Sequence, residues 1–144
     1  TAFSSAGRHD VRVVPVKAID TPLDETIASA LSGLRPGYST RMGAALRYAC
    51  RDLDGLSRYR KIVLLVTDGA PSDIDMPDSD YLVEDARRAV QRMRAQGIDA
   101  ICVALGNDAG QRHTEIFGRK TCVQITDIAT LPAKLSAFYL RMTR

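Results

Sequence analysis

One stretch of the sequence, Lys61 to Asp75, constrains the fold of this chain more than any other. Its run of apolar residues, Ile62 to Val66, ends abruptly at a Thr-Asp-Gly triplet. Such a run, stopping at a polar loop, is typical of a strand that is buried on both faces. Because open α/β sheets bind ligands at the carboxyl ends of their strands, we expect a binding site at Asp68. Asp73 and Asp75 follow in the same loop.

The order of the predicted elements indicates a doubly wound α/β fold. From residue 40 onward, helices with apolar residues at steps of three and four alternate with short apolar strands. This alternation favours a Rossmann-like, mostly parallel sheet with helices on both faces. The predicted strands are residues 61–67, 98–105 and 121–126, and the predicted helices follow residue 40, span residues 81–96 and 111–117, and begin near residue 128.

The first part of the chain predicts a hairpin followed by a short helix. Residues 2–5 and 11–17 have the composition of two strands, joined by a turn at residues 7–10. Pro15 cannot donate a hydrogen bond to a strand ladder, so the second strand is predicted to be an antiparallel edge strand. Residues 24–34 then carry apolar side chains at helical spacing.

The helix that follows has a predicted cap and a predicted close contact. Ser39 or Thr40 is expected to cap its first turn. Gly43 lies near its start, and the absence of a β-carbon there would allow the helix to lie close to the backbone beneath it.

Composition and charge favour a cytoplasmic domain that binds neither nucleic acid nor membranes. The net charge is +3, and the arginines are scattered without interleaved aromatic residues, which predicts a solvated surface. No apolar run reaches the roughly 18 residues of a membrane span. The three cysteines lack CxxC or His-paired spacing, which predicts reduced thiols rather than disulfides or zinc ligands. His9 and His113 are expected on the surface.

Thr40 and Asp68 are the candidate metal ligands. Thr40 precedes a helix and Asp68 ends a strand, so both are expected at the same rim of a doubly wound sheet. A hydroxyl and a carboxylate are hard oxygen ligands that suit Mg²⁺, which takes few protein ligands and keeps several waters. The simpler alternative is that Asp68 and Gly69 form only a turn after the strand.

Longer blocks of the sequence resemble a known family. FSSAGRHDVR, STRMGAALR, VTDGAPSDID and YLVEDARRAV occur in this order along the chain. In that order they resemble the von Willebrand factor A (vWA) domain, and more narrowly the C-terminal domain of the NorD/CbbO proteins. The likeness runs from Phe3 to Arg144 and implies that residues 1–144 are the C-terminal portion of one vWA domain, beginning at about its second strand. It also implies a metal-ion-dependent adhesion site in which Thr40 and Asp68 are ligands.

The third part of such a site, a DxSxS sequence after the first strand, does not occur in the 144 residues. In the resembled family this motif lies upstream of the block that begins at Phe3. We therefore expect the central first strand of the sheet to be missing from this chain, and Mg²⁺ to bind poorly without it. Because an open gap would expose apolar faces and unpaired ladder groups, we expect another segment to fill it.

The resemblance implies a non-catalytic adaptor with a chaperone-like task. Such proteins link a hexameric MoxR-type AAA+ ATPase (CbbQ- or NorQ-like) to a client enzyme. The client is Rubisco for CbbO-like proteins, as in Rubisco activase activity, and nitric oxide reductase for NorD-like proteins. An acidic side chain of the partner would complete the coordination of Mg²⁺. Ser39, Asp73 and Asp75 would contact the partner or hold waters around the metal; the alternative for the two aspartates is a solvated loop.

Two other functions stay open. A metal-dependent hydrolase on a Rossmann-like sheet would use carboxylates such as Asp73 and Asp75, although no GxGxxG or GxxxxGK[ST] motif and no evident nucleophile occurs. A metal-independent scaffolding vWA domain would keep the fold and dock onto the rest of its own protein.

Overall fold

A computed structural model describes residues 1–57, 60–106 and 110–142. The strands in these ranges are β1 (Ala2–Ser5), β2 (Val11–Val14), β3 (Lys61–Thr67), β4 (Ile98–Leu105) and β5 (Cys122–Ile125). The helices are α1 (Glu25–Ser32), α2 (Met42–Asp54), α3 (Ser79–Ala95), α4 (Gly110–Phe117) and α5 (Leu131–Met142), the last preceded by a 3₁₀ turn at Ile128–Thr130. Within these ranges, none of the helices combines the length and the hydropathy that a bilayer crossing requires.

The alternation of elements predicts parallel strands, and β3, β4 and β5 do form a parallel sheet. Their order in the sheet is β3-β4-β5. Leu65 lies beside Cys102, which in turn lies beside Cys122. Parallel neighbours cannot be joined by a tight turn, so α3 and α4 make the crossovers between them. The carboxyl ends of all three strands therefore lie at one edge of the sheet, where open α/β folds bind ligands.

The predicted antiparallel hairpin is formed by β1 and β2. Among the described strands it is a sheet of its own, whereas the sequence predicts an edge of the parallel sheet. The second strand is shorter than predicted, because β2 ends at Val14, one residue before Pro15. Proline has no N–H group and would interrupt the ladder at that point.

The core is built around α3. The Asp78 side chain caps this helix by accepting hydrogen bonds from the backbone N–H groups of Asp80 and Tyr81. Gly97, with a φ of 74°, follows its end. The apolar residues predicted for this helix are all buried, namely Leu82, Val83, Ala86, Ala89, Val90 and Met93. All of them except Leu82 form one cluster with residues of α2, α4 and β4, in which each large apolar side chain contributes up to roughly 1.5–3 kcal/mol.

Two predicted apolar surfaces are open in the described part of the chain. The prediction that β3 is buried on both faces is wrong, because Leu64 and Val66 are 45% and 46% exposed. Among the described strands β3 pairs with β4 alone. Only the face of β3 that carries Leu65, opposite to Leu64 and Val66, lies against the core. In addition, α1 contains no buried residue, so its apolar stripe lies on the surface.

The start of α2 differs from the prediction. Its N-cap is Arg41, which makes no side-chain capping bond, rather than Ser39 or Thr40. Gly43 does allow a close contact, but with α3 and not with the sheet. A β-carbon at residue 43 would overlap the Asp85 carboxyl group and lie 3.1 Å from the Asp85 carbonyl carbon.

An open cleft of about 330 Å³ separates the hairpin from the parallel sheet. Its walls belong to β1 on one side and β3 on the other, and no ladder joins these two described strands across it. The lining residues are Thr1, Ala2, Phe3, Leu64, Leu65 and Val66. We refer to it as the inter-sheet cleft.

Replacing Gly43 with alanine is expected to lower the free energy of unfolding by about 1–3 kcal/mol, because the added methyl group overpacks the contact between α2 and α3. Gly55 is the matched control, since an added β-carbon there meets nothing within 4 Å. Gly55→Ala is expected to change stability by less than about 1 kcal/mol. Urea unfolding of the full-length protein measures both variants, and equal midpoints would contradict the close helix contact.

Candidate functional site

Asp68 lies directly after β3, and the peptide that follows it is held from two sides. The carbonyl oxygen of Gly69 accepts hydrogen bonds from Thr67 Oγ1 at 3.0 Å and from His113 Nε2 at 3.1 Å. Both donor side chains are buried. Because a carbonyl oxygen can only accept, Nε2 of His113 carries a proton in this contact. The turn is therefore fixed, while the Asp68 side chain is exposed.

The position of His113 contradicts the prediction that it lies on the surface, because its side chain is fully buried. It shares α4 with Ile116 and Phe117, which are also buried. Spacings of three and four residues place the three side chains on one face of the helix, so the sequence did contain this signal. His9 is exposed, as predicted.

The loop that carries Thr40 is joined to two other segments. Thr40 N–H donates to the Ser72 carbonyl oxygen at 3.1 Å, and Ser72 N–H donates to the Thr40 carbonyl oxygen at 3.1 Å. On its other side, Ser39 and Ser5 exchange backbone hydrogen bonds of 2.8 and 2.9 Å, and Arg41 N–H donates to Ser5 Oγ at 3.2 Å. The end of β1, the loop before α2 and the loop after β3 thus meet at one rim. Contact of Ser39 with a partner stays a prediction.

The two predicted metal ligands have free oxygen donors. Within the part of the chain that the structure describes, neither the Thr40 hydroxyl nor the Asp68 carboxylate forms a hydrogen bond or an ion pair. Both are hard oxygen donors, so their chemistry fits Mg²⁺. They are only part of a site, because no three His, Cys, Asp or Glu side chains converge within the described ranges. Metal binding by these two residues stays a prediction.

Asp73 and Asp75 are bound by arginines. Arg41 Nε donates to Asp73 Oδ2, and Arg41 Nη2 donates to Asp75 Oδ1 at 3.2 Å. The backbone N–H of Arg8 donates to Asp75 Oδ2 at 2.7 Å. The Asp73 side chain has no exposed surface, so the alternative of a solvated loop is wrong for this residue. We refer to these four residues as the arginine–aspartate cluster.

Charge and hydrogen bonding in this cluster shift two pKa values. The pKa of Asp75 is lowered, chiefly because Arg8 N–H donates to its carboxylate and because Arg41 and Arg8 are positively charged. Burial opposes the charge of Arg41, yet hydrogen bonding and the charges of Asp73 and Asp75 raise its pKa. The stabilisation from ionised Asp75 is complete above the unfolded-state pKa of about 3.9. It is lost as the pH falls through the lowered folded-state value.

Arg41 is a functional residue of the rim that is absent from the sequence-based predictions, although its position carries a signal. Arg41 stands at the N-cap of α2, where the helix dipole already concentrates positive charge. A cation at that place is unfavourable unless a specific anion binds it. The acidic loop after β3 supplies two such anions.

Comparison with known proteins identifies the class of this domain. Residues 3–136 match the von Willebrand factor type A domain. Because the match covers most of the chain, the protein belongs to this family of domains. The hairpin and the parallel sheet also resemble proximal thread matrix protein 1 from the mussel byssus, with a TM-score of 0.65 over 94% of this chain and 34% of that one. At 18% identity, this likeness supports the fold alone.

Within this class, the chain is related to NorD proteins. NorD of Brucella suis is 36% identical over 137 residues, which cover 95% of this chain and 22% of the relative. NorD of Stutzerimonas stutzeri is 40% identical over 116 residues, which cover 81% of this chain and 19% of the relative. The chain therefore spans about a fifth of the length of these NorD relatives.

Replacing His113 with leucine is expected to lower the free energy of unfolding by about 1–3 kcal/mol, because the Gly69 carbonyl loses one of its two donors inside the fold. Amide exchange over residues 68–75 should rise at the same time. His9→Leu is the matched control on an exposed histidine, with an expected change within about 0.5 kcal/mol. Urea unfolding with mass-spectrometric exchange measures both, and an unchanged midpoint for His113→Leu would contradict the role of His113.

Proposed function

We propose that this domain is a non-catalytic, Mg²⁺-dependent protein-binding adaptor. The observation that carries the proposal is the pair of free oxygen donors, Thr40 and Asp68, on a rim whose backbone is otherwise held by hydrogen bonds. The membership in the vWA family supports it, since the same two positions match ligands of a metal-ion-dependent adhesion site by resemblance. This function needs a fixed rim and accessible oxygen ligands, and it is supported by the exposed Asp68 carboxylate and the half-buried Thr40 hydroxyl.

We place the remaining metal ligands on a strand that occupies the inter-sheet cleft. The cleft lies between β1 and β3, which no described strand joins, and five of the six residues that line it are apolar. A strand in this position would pair with both edges and join the hairpin and the parallel sheet into one doubly wound sheet. Its end would emerge at the rim near Ser5 and Asp68. A DxSxS sequence there would add hydroxyl and carboxylate donors to those already present.

The residues at the rim have separate tasks in this mechanism. Asp68 contributes a negative charge at the end of β3, and Thr40 contributes a neutral hydroxyl. The paired hydrogen bonds between Thr40 and Ser72 hold the two loops together, so the donors are placed before any partner arrives. Thr40 and Asp68 would hold Mg²⁺, and the bound ion would supply a Lewis-acidic binding position for a carboxylate of the partner protein. Specificity then requires an acidic side chain on the partner.

The identity of the relatives suggests the partners. The 36–40% identity with NorD proteins favours a NorQ-like hexamer of the MoxR-type AAA+ ATPases, with nitric oxide reductase as the client. A CbbQ-like ATPase acting on Rubisco is the alternative pair. In either case the domain would work in the cytoplasm and bring the ATPase to its client.

A metal-independent scaffold is the second candidate function, and open apolar surfaces favour it. Leu64 and Val66 on β3 are about half exposed, and α1 has no buried residue. Surfaces of this kind suit docking onto another part of a larger protein. The hydrolase alternative is not favoured, because Asp73 and Asp75 are both engaged by Arg41 and are not free to handle a proton or a metal.

Thr40→Ala and Asp68→Ala, each in the full-length protein, are expected to abolish Mg²⁺ binding and client activation. Stability should change by less than about 0.5 kcal/mol, because neither side chain makes an internal bond. Asp52→Ala is the matched control, since Asp52 is an exposed aspartate further along α2. Calorimetric titration with Mg²⁺ and an ATPase-coupled client assay measure the two properties.

Retention of Mg²⁺ binding and activation in both variants would refute the adaptor proposal. If client activation persists while Mg²⁺ binding is undetectable in the unsubstituted protein and in both variants, the metal-independent scaffold is favoured. Phosphate-ester turnover that disappears in Asp68→Ala would favour the hydrolase.

A further inference from the structure

The arginine–aspartate cluster joins the three segments that form the rim. Arg8 belongs to the turn between β1 and β2, and Arg41 directly precedes α2. Asp73 and Asp75 belong to the loop after β3. Arg41 donates to both carboxylates, and the Arg8 backbone donates to Asp75 at 2.7 Å. The single guanidinium of Arg41 therefore binds two carboxylates of the same loop.

Burial distinguishes this cluster from a surface ion pair. The side chain of Arg41 is 12% exposed, and that of Asp73 is 0% exposed. Oδ1 of Asp73 is also buried and has no hydrogen-bond partner among the described residues. A buried carboxylate is unfavourable unless a positive charge and hydrogen bonds compensate it, and Arg41 supplies both. Replacing the Arg41 guanidinium with water at the buried Asp73 carboxylate is therefore unfavourable. The guanidinium is held in position for this reason.

Thr40 is attached to the same loop immediately beside this ion pair. The backbone of Thr40 bonds to Ser72, and the side chain of the next residue, Arg41, bonds to Asp73. Two consecutive residues thus hold two consecutive residues of the facing loop. That loop begins at Asp68, four residues before Ser72.

We propose that Arg41 is a positioning residue of the rim: by binding Asp73 and Asp75 it sets the position of the Thr40 hydroxyl relative to the Asp68 carboxylate, and so the affinity for a divalent cation. This inference rests on the proposed function, because it assigns a determinant of Mg²⁺ affinity. Arginine suits the task better than lysine, since its planar fork reaches two carboxylates in a fixed geometry whereas an ammonium acts as a point charge.

The chain contains a matched ion pair outside the rim. Arg47, on α2, donates to both oxygens of Asp85 on α3 at 2.8 and 3.2 Å. This pair joins two helices and has no bond to the Thr40 loop or to the loop after β3. It therefore controls for the general loss of an arginine–aspartate pair.

The experiment compares Arg41→Lys, Asp73→Asn and Arg47→Lys in the full-length protein. Mg²⁺ affinity is measured by calorimetry, and unfolding temperature is recorded for each variant. Both rim variants are expected to raise the Kd for Mg²⁺ by about 10- to 100-fold, as the loss of residues that orient metal ligands commonly does. Arg47→Lys is expected to leave the Kd unchanged. Metal-free amide exchange at Thr40 and Ser72 is a second measurement, in which Arg41→Lys should lose protection and Arg47→Lys should not.

Three results would overturn the inference. An unchanged Kd in Arg41→Lys, while Asp68→Ala abolishes binding, would refute it and leave the proposed function standing. Should the rim variants fold too poorly for calorimetry, unchanged exchange at the Thr40 and Ser72 amides in a folded Asp75→Asn variant would refute it. An absence of Mg²⁺ binding in the unsubstituted protein would refute the inference together with the proposed function.

Discussion

The residues of β3 pair with β4 in parallel register, from Lys61 beside Ile98 to Thr67 beside Ala104. Parallel pairing obliges the chain to return across the sheet through a helix, and α3 makes that return with a fully apolar inner face. The segment between them must then leave the sheet at its carboxyl edge, reach outward, and come back to begin α3 at Asp78. The acidic loop and its place at the rim are consequences of this one pairing.

A polar loop of this kind has little apolar surface with which to offset the entropy of ordering. It is ordered instead by bonds spaced along its length. His113 holds Gly69, Thr40 holds Ser72, and Arg41 holds Asp73. These donors come from two separate segments, α4 and the residues just before α2, so the position of the loop depends on how both pack at the rim. Functional groups on loops are usually placed by a rigid scaffold in this way.

Electrostatics at the rim are arranged so that this ordering adds little net charge. The arginine–aspartate cluster contains two arginines and two aspartates, so its formal charges sum to zero. A lone arginine beside a cation site would oppose metal binding, whereas a neutralised one holds the loop without that penalty. Asp68 is left as the exposed carboxylate at the end of β3, and its charge is available to a ligand.

The sequence by itself determined the parts of this protein that depend on local pattern. The bounds of β4, the buried stripe of α3 and the alternation of strands and helices follow from run length and periodicity, which are properties of neighbouring residues. Only the tertiary structure decided that β3 has an open face, because an apolar run does not reveal whether a neighbour is present to cover it. It also decided that Arg41 binds Asp73 and that His113 binds Gly69, since these partners are 32 and 44 residues apart. Such contacts form where segments distant in the sequence meet. The pattern of neighbouring residues does not specify how far apart those segments lie in the fold.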